Sequence, residues 1–223
     1  MLKLNSPIVS VEWLMENLEH PNLILLDATM KKATDKSDTQ NNEFIKNTLF
    51  FDIEHEFSDT DAPFPNTLLS PKLFEENAQA IGVNDDSFII VYDCYGYYSC
   101  ARVWFMFKAM GFENIAVLDG GLPSWKEANF PLQGKPSVKF KGGNFKVGNY
   151  SKIIHDHQNV LDAIEDKKTT IIDARSANRF LGLVDEPRKG LRSGHIPNSK
   201  NLPFTNILNG SKMKSNKDFE NIF

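Results

Sequence analysis

An internal repeat constrains this chain more than any other feature. Ile24-Leu25-Leu26-Asp27-Ala28-Thr29 recurs as Thr170-Ile171-Ile172-Asp173-Ala174-Arg175, with Asp27 and Asp173 146 residues apart. The likeness continues, because Phe44-Ile45-Lys46-Asn47-Thr48 is answered by His195-Ile196-Pro197-Asn198-Ser199. A period this long means two copies of one domain, not a solenoid of short units. Within the copies, short apolar runs at 23–26, 88–92, 115–118 and 170–172 alternate with helical patterns. That alternation predicts an α/β fold in which parallel strands are joined by crossover helices.

Two of the helices are well delimited. Ser70 can cap one, Pro71 suits its first turn, Gly82 can end it, and Phe74, Ala78 and Ile81 share a face. The next spans about Ser99 to Met110, stops at Gly111, and carries the stripe Val103, Trp104, Phe107 and Met110, best read as core. A further helix is expected around Val160 to Ile164. Between Gln133 and Asn149 periodicity dissolves into glycine, proline and serine, so the expected division is a domain over 1–133, a linker over 134–149 and a second domain over 150–223. In the first copy Asp93 follows its strand, 66 residues after Asp27. The same spacing from Asp173 leads to position 239, so the second copy is expected to be incomplete within these 223 residues.

Composition excludes several classes. With 41% hydrophobic and 24% charged residues the chain is expected to bury a core, not to be disordered or fibrous. A net charge of -4 and the lack of a basic block argue against nucleic acid as a partner. No run is apolar and long enough for a signal peptide or a bilayer span, so no membrane partner is expected. Two cysteines are too few for a disulfide framework, which points to a reducing, cytoplasmic location.

The chemistry-bearing residues fall in two places. The turn Asp93-Cys94-Tyr95-Gly96-Tyr97-Tyr98-Ser99 joins a strand to a helix, a geometry that aims backbone N–H groups and the positive helix end into a small bowl. A thiol at its first position would be acidified, but that position holds Asp93. Cys94 could be a displaced nucleophile, although an inert thiol is the default, and Cys100 is expected in the helix core. The spacing from Cys94 to Arg102 does not fit the Cys-x5-Arg cradle of cysteine-dependent phosphoryl transfer. In the second copy, Arg179 and Arg188 lie on a loop rich in glycine and proline, where two guanidinium forks could converge on a small carboxylate. They could equally pair with Asp185 and Glu186. His195, before Pro197 in the same region, reads as a packed turn residue more readily than as a base, and His155 with His157 lacks a third metal ligand nearby in sequence.

Taken together, these motifs resemble the tandem-domain rhodaneses, the thiosulfate and 3-mercaptopyruvate sulfurtransferases. The likeness rests on Val91-Tyr92-Asp93, Ser99, Arg102-Val103-Trp104, Leu118-Asp119-Gly120-Gly121-Leu122 and Trp125, then on Asp173-Ala174-Arg175, Arg179-Phe180 and Gly194-His195-Ile196-Pro197. The resemblance implies two rhodanese-like domains, the first non-catalytic with Asp93 at the cysteine position, the second carrying the catalytic loop beyond Phe223. It implies a ping-pong reaction in which a cysteine takes sulfur from a small anionic donor as a persulfide and passes it to a thiol, cyanide or a thioredoxin-like acceptor, with no cofactor and no metal. Arg179 matches a donor-binding arginine of both subfamilies and Arg188 one more typical of the mercaptopyruvate type, which favours 3-mercaptopyruvate over thiosulfate. Glu54 and Asn66 stand where mercaptopyruvate enzymes often place an aspartate and a histidine, and asparagine cannot shuttle a proton. No catalytic residue is then expected inside the chain, since the cysteine falls near position 239, and the chain alone is expected to be inactive. The alternative is a catalytically dead anion-binding or scaffold module.

Overall fold

The computed structural model describes residues 2–32, 42–134, 142–150, 153–166, 168–188, 190–220 and 222. They form two compact units, one of Met1–Lys31 with Ser37–Ser151, the other of Lys32–Lys36 with Lys152–Phe223.

In the first unit, β1 (Ile8–Val9) leads into α1 (Val11–Asn17), and β2 (Leu23–Asp27) follows. A two-residue strand β3 (Phe44–Ile45) precedes β4 (Thr48–Phe50), and β5 (Ser58–Asp59) pairs antiparallel with β6 (Thr67–Leu68). Then come α2 (Pro71–Ala80), β7 (Phe88–Tyr92), α3 (Cys100–Ala109), β8 (Ile115–Leu118), α4 (Gly121–Glu127) and β9 (Leu132–Gln133), which pairs with β3. The main sheet has the order β1-β8-β7-β2-β4 and every pairing in it is parallel, with Leu25 opposite Ile90 and Ile89 opposite Ile115. Leu25, Leu26, Ile89, Ile90, Val91, Ala116 and Leu118 are all buried, as they must be when both faces of a parallel sheet are covered. The expected helix boundaries hold. Ser70 accepts the Leu73 N–H at 3.4 Å with Pro71 in the first turn, and α3 lies between Ser99 and Met110, with Gly111 at φ 80°.

The expected linker needs correction. Its residues 142–149 belong to the first unit: Gly143 N donates to Gln79 O (2.7 Å), Phe145 N to Val83 O (3.0 Å) and Gly148 N to Met110 O (3.1 Å). Phe145 is 1% exposed and its ring meets those of Phe112, Phe107 and Phe74. Burying such a ring stabilises by about 2–3 kcal/mol, enough to tether an otherwise irregular segment. Gly143 is required for the approach, because a Cβ there would stand 1.9 Å from the Val83 oxygen. Residues 135–141 of that linker lie outside the described residues.

The second unit contains α5 (His157–Glu165), β10 (Ile172–Asp173), α6 (Ala177–Phe180), β11 (Lys200–Asn201), a 3-10 turn (Phe204–Ile207), the antiparallel pair β12 (Leu208–Asn209) and β13 (Lys212–Met213), and α7 (Asn216–Phe219). Asp156 opens α5 with a reciprocal capping box to Asn159, and β10 pairs parallel with β11. None of this unit's described residues is buried; Leu161, Ile172 and Leu191 are each at least half exposed.

Local geometry recurs between the units. Thr29 N donates to Asp27 Oδ1 and Arg175 N to Asp173 Oδ1, each at 2.9 Å. Asp27 lies opposite Phe50 and Asp173 opposite Asn201, with Phe51 N and Leu202 N donating back to the two aspartate carbonyls. Asn47 and Asn198 both take left-handed backbone, at φ 64° and 60°, which asparagine tolerates better than most side chains.

Candidate functional site

In the first unit the β7 to α3 turn forms the bowl that its sequence predicts, and the bowl is full. Asp93 is completely buried. Its Oδ2 accepts the backbone N–H groups of Tyr98 (2.8 Å), Ser99 (2.8 Å) and Cys100 (3.0 Å), and its Oδ1 accepts that of Tyr95 (2.8 Å). Four peptide N–H groups, from the turn and the first residues of α3, thus converge on one carboxylate. The turn closes on α4, where Leu122 N donates to Asp93 O and Gly121, at φ 52°, leaves no room for a Cβ, which would lie 2.5 Å from that oxygen.

Both cysteine thiols are raised above their ordinary pKa. Cys94 is half-buried, its backbone N–H donates to Thr29 Oγ1 (3.0 Å), and burial pushes its thiol pKa up, with the charges of Asp93 and Asp27 adding to the effect against the hydrogen bond from Thr29. Cys100 is buried in α3, and burial raises its thiol well above the ordinary value. Asp27 beneath the turn is also raised, by burial first. Glu54 is exposed, its backbone N–H donating to Asp52 Oδ1 (3.0 Å). Asn66 takes left-handed backbone at φ 59° and its carbonyl accepts from Arg102 Nη2.

In the second unit a four-residue network of charge surrounds Glu186. Arg179 donates to it side-on, from Nε to Oε1 (3.2 Å) and from Nη2 to Oε2 (2.5 Å). Arg175 donates from Nη1 to Glu186 Oε1 (3.0 Å), from Nε to both Asp173 oxygens (3.0 Å each), and from Nη2 to Asp173 and to Gly194 O (2.8 Å). The Glu186 side chain is 3% exposed. Its carboxyl sits below its ordinary pKa because Arg179 and then Arg175 hold it against the cost of burial, and Asp173 is lowered chiefly by its hydrogen bonds from Arg175.

Of the two arginines singled out from sequence, Arg179 therefore pairs with Glu186. Arg188 is exposed and makes no hydrogen bond or ion pair with any described residue, and neither does Asp185. Arg175, which the sequence reading passed over, joins both carboxylates; the signal was available, since it stands in the repeat where the first unit has Thr29. His195 is exposed, stacked on Phe180 at 3.9 Å and 13°, with Nδ1 2.7 Å from Phe180 O. A carbonyl only accepts, so Nδ1 carries a proton. Asp173, Arg175 and Glu186 of the network line an open groove of about 1070 Å³ together with Arg192, Leu161, Ile172, Leu191 and Ile196, whereas Arg179 and Arg188 are not among its lining residues. Among the described residues no three His, Cys, Asp or Glu side chains gather as a metal site would require, and no helix is long and apolar enough to cross a membrane.

Comparison with known proteins gives a consistent result. The sequence profile of the rhodanese-like domain matches residues 10–128 and 156–223. The chain is 35% identical over 219 residues to the 3-mercaptopyruvate sulfurtransferase of Escherichia coli (strain K12), covering 96% of this chain and 77% of that protein. It is 32% identical to the 3-mercaptopyruvate sulfurtransferase of Homo sapiens, covering 97% and 75% respectively. The crystal structure of SseA from Escherichia coli, described as a 3-mercaptopyruvate sulfotransferase with the rhodanese fold, superposes with a TM-score of 0.86 at 32% identity, over 98% of this chain and 83% of that one.

Proposed function

The chain belongs to the rhodanese-like domain family, and from that premise we propose that it binds the donor in a sulfurtransferase whose donor is 3-mercaptopyruvate. The observation that carries this reading is Arg179, whose guanidinium is fixed by Glu186 while its remaining N–H groups stay unengaged, with the unpaired Arg188 nine residues further on. A planar α-keto carboxylate is matched by such parallel donors.

The sulfur carrier is neither Cys94 nor Cys100, because both thiols are raised by burial and Asp93 occupies the amide bowl. We place it near position 239, where the repeat sets the counterpart of Asp93. In the reaction that thiolate attacks the donor sulfur, so that an S–S bond forms as the C–S bond breaks. The electron pair passes to the enolate of pyruvate, which takes a proton at carbon. A thiolate or cyanide acceptor then attacks the outer sulfur of the persulfide and regenerates the thiolate. With no thiol of this kind in it, the chain of 223 residues is expected not to turn over.

The test is sulfur transfer from 3-mercaptopyruvate to cyanide by the gene product carried to its natural stop, with Arg179→Gln and Arg188→Gln beside it. Each substitution should raise KM at least tenfold, since each removes a charge-assisted contact of about 1.5–3 kcal/mol. A gene product that binds pyruvate but moves no sulfur would instead make this an anion-binding scaffold. Transfer by the 223-residue chain itself, with sulfur found on Cys94, would refute the assignment of the carrier.

A further inference from the structure

Glu186 sits oddly for a residue on a donor loop. In a unit with no buried residue among those described, its carboxylate is 3% exposed and lies between two guanidinium groups, one of which is the proposed donor anchor. A guanidinium offers a carboxylate two faces that can donate a parallel pair, the side face of Nε with Nη2 and the end face of Nη1 with the second Nη2 proton. On Arg179 the side face is already taken. Arg175 cannot replace it, because its Nε, Nη2 and one Nη1 proton all serve Asp173, Gly194 O and Glu186.

We propose that Glu186 is the positioning residue of donor recognition: it holds the side face of Arg179 so that the end face alone meets the donor carboxylate. The inference rests on the reading of Arg179 as the donor anchor. Orientation runs along a chain of contacts, from Asp173 through Arg175 and Glu186 to Arg179, so the fork is set before the donor arrives and little side-chain entropy is lost on binding. The four charges of that network cancel, while Arg188 and Arg192 make no ion pair with any described residue. One complete fork suits a planar carboxylate such as that of an α-keto acid.

The experiment is pyruvate binding to this chain, followed on the Nε–Hε resonances of its arginines by NMR. In the unsubstituted protein the Arg179 Nε–Hε proton should exchange slowly and keep its position as pyruvate is added, because Glu186 retains that face. This measurement stands even if a variant folds poorly. Glu186→Gln should weaken pyruvate binding about tenfold, the cost of ordering a released long side chain on top of a weaker fork, while Glu186→Asp recovers part of the loss. Displacement of the Arg179 Nε–Hε signal by pyruvate, or equal or tighter binding by a folded Glu186→Gln protein, would overturn the proposal. Arg179→Gln separates the two readings: pyruvate binding that survives it removes the donor anchor itself, whereas binding lost there but unchanged in Glu186→Gln removes only the positioning role.

Discussion

Replacing Asp93 tests whether the first unit's loop is held together by its own anion. The carboxylate accepts four backbone N–H groups at 2.8 to 3.0 Å and is fully buried, so water cannot fill in for it without rearrangement. Hydrogen bonds to a charged acceptor are worth about 1.5–3 kcal/mol each, but four on one group are far from additive, and Asp93→Ala is expected to cost about 4 kcal/mol. Asp93→Asn keeps one oxygen for the three donors at Oδ2, yet turns an amide N–H₂ toward the Tyr95 N–H, and about 2 kcal/mol is expected. For a unit of this size that corresponds to melting points lowered by about 12 °C and 6 °C respectively. Trp13, Trp104 and Trp125 all lie in the first unit, so urea or thermal unfolding followed by tryptophan fluorescence reads this unit and not the other. An Asp93→Asn protein unfolding within 0.5 kcal/mol of the unsubstituted one, on the order of ordinary surface effects, would show that the loop needs no internal anion.

Three further outcomes are expected. Cys94, raised by burial and by the nearby Asp93 and Asp27, should react with iodoacetamide at neutral pH more slowly than an unstructured thiol, and fast labelling by mass spectrometry would contradict that. Limited proteolysis should leave a fragment that retains Phe145, ending past residue 149 and not at the boundary after residue 133 expected from the sequence; recovery of a stable fragment lacking 142–149 would refute the packing of Phe145. Acid should act on the units differently. Glu186 and Asp173 have folded pKa values below their unfolded ones, so they stabilise the second unit above the ordinary carboxylate range, and this is lost as pH falls through the lowered values. Asp27 is raised in the fold, so its protonation favours the first unit. Amide NMR signals of the second unit should therefore fade first on acidification, and the reverse order would rule this out.

The elements that were legible in the sequence are those whose signal is local. Ser70, Pro71 and Gly82 bracket α2, and the apolar run 88–92 becomes β7 residue for residue, because caps and buried parallel strands write themselves into neighbouring positions. The Phe145 segment was illegible for the opposite reason. Its partners Val83, Gln79 and Met110 are distant in sequence, and the glycine that admits the backbone looks like a loop residue. Arginine chemistry divides in the same way. That Arg179 could grip an anion follows from residue type, but which face of it is spent depends on Glu186 seven residues on, and the role of Arg175 depends on a loop closure to Gly194 that no local pattern announces.

Of the two copies, the first separates what backbone and side chain each contribute to an anion site. There the turn after β7 makes an anion bowl from peptide N–H groups alone, and the residue at its mouth is itself the anion. Such a bowl is indifferent to whether the negative charge belongs to a carboxylate or a thiolate, so the fold supplies the field and one side chain decides between ligand and nucleophile. Asp93→Cys should then produce a thiol more acidic than the ordinary value of about 8.5, despite the buried Asp27 nearby, and far more acidic than Cys94 in the same loop. The pH dependence of iodoacetamide labelling at position 93 measures it directly. A titration midpoint at or above that of a free thiol would mean that the amides cradle Asp93 for packing alone, and the inference from this loop to a persulfide-bearing counterpart near position 239 would lose its physical basis.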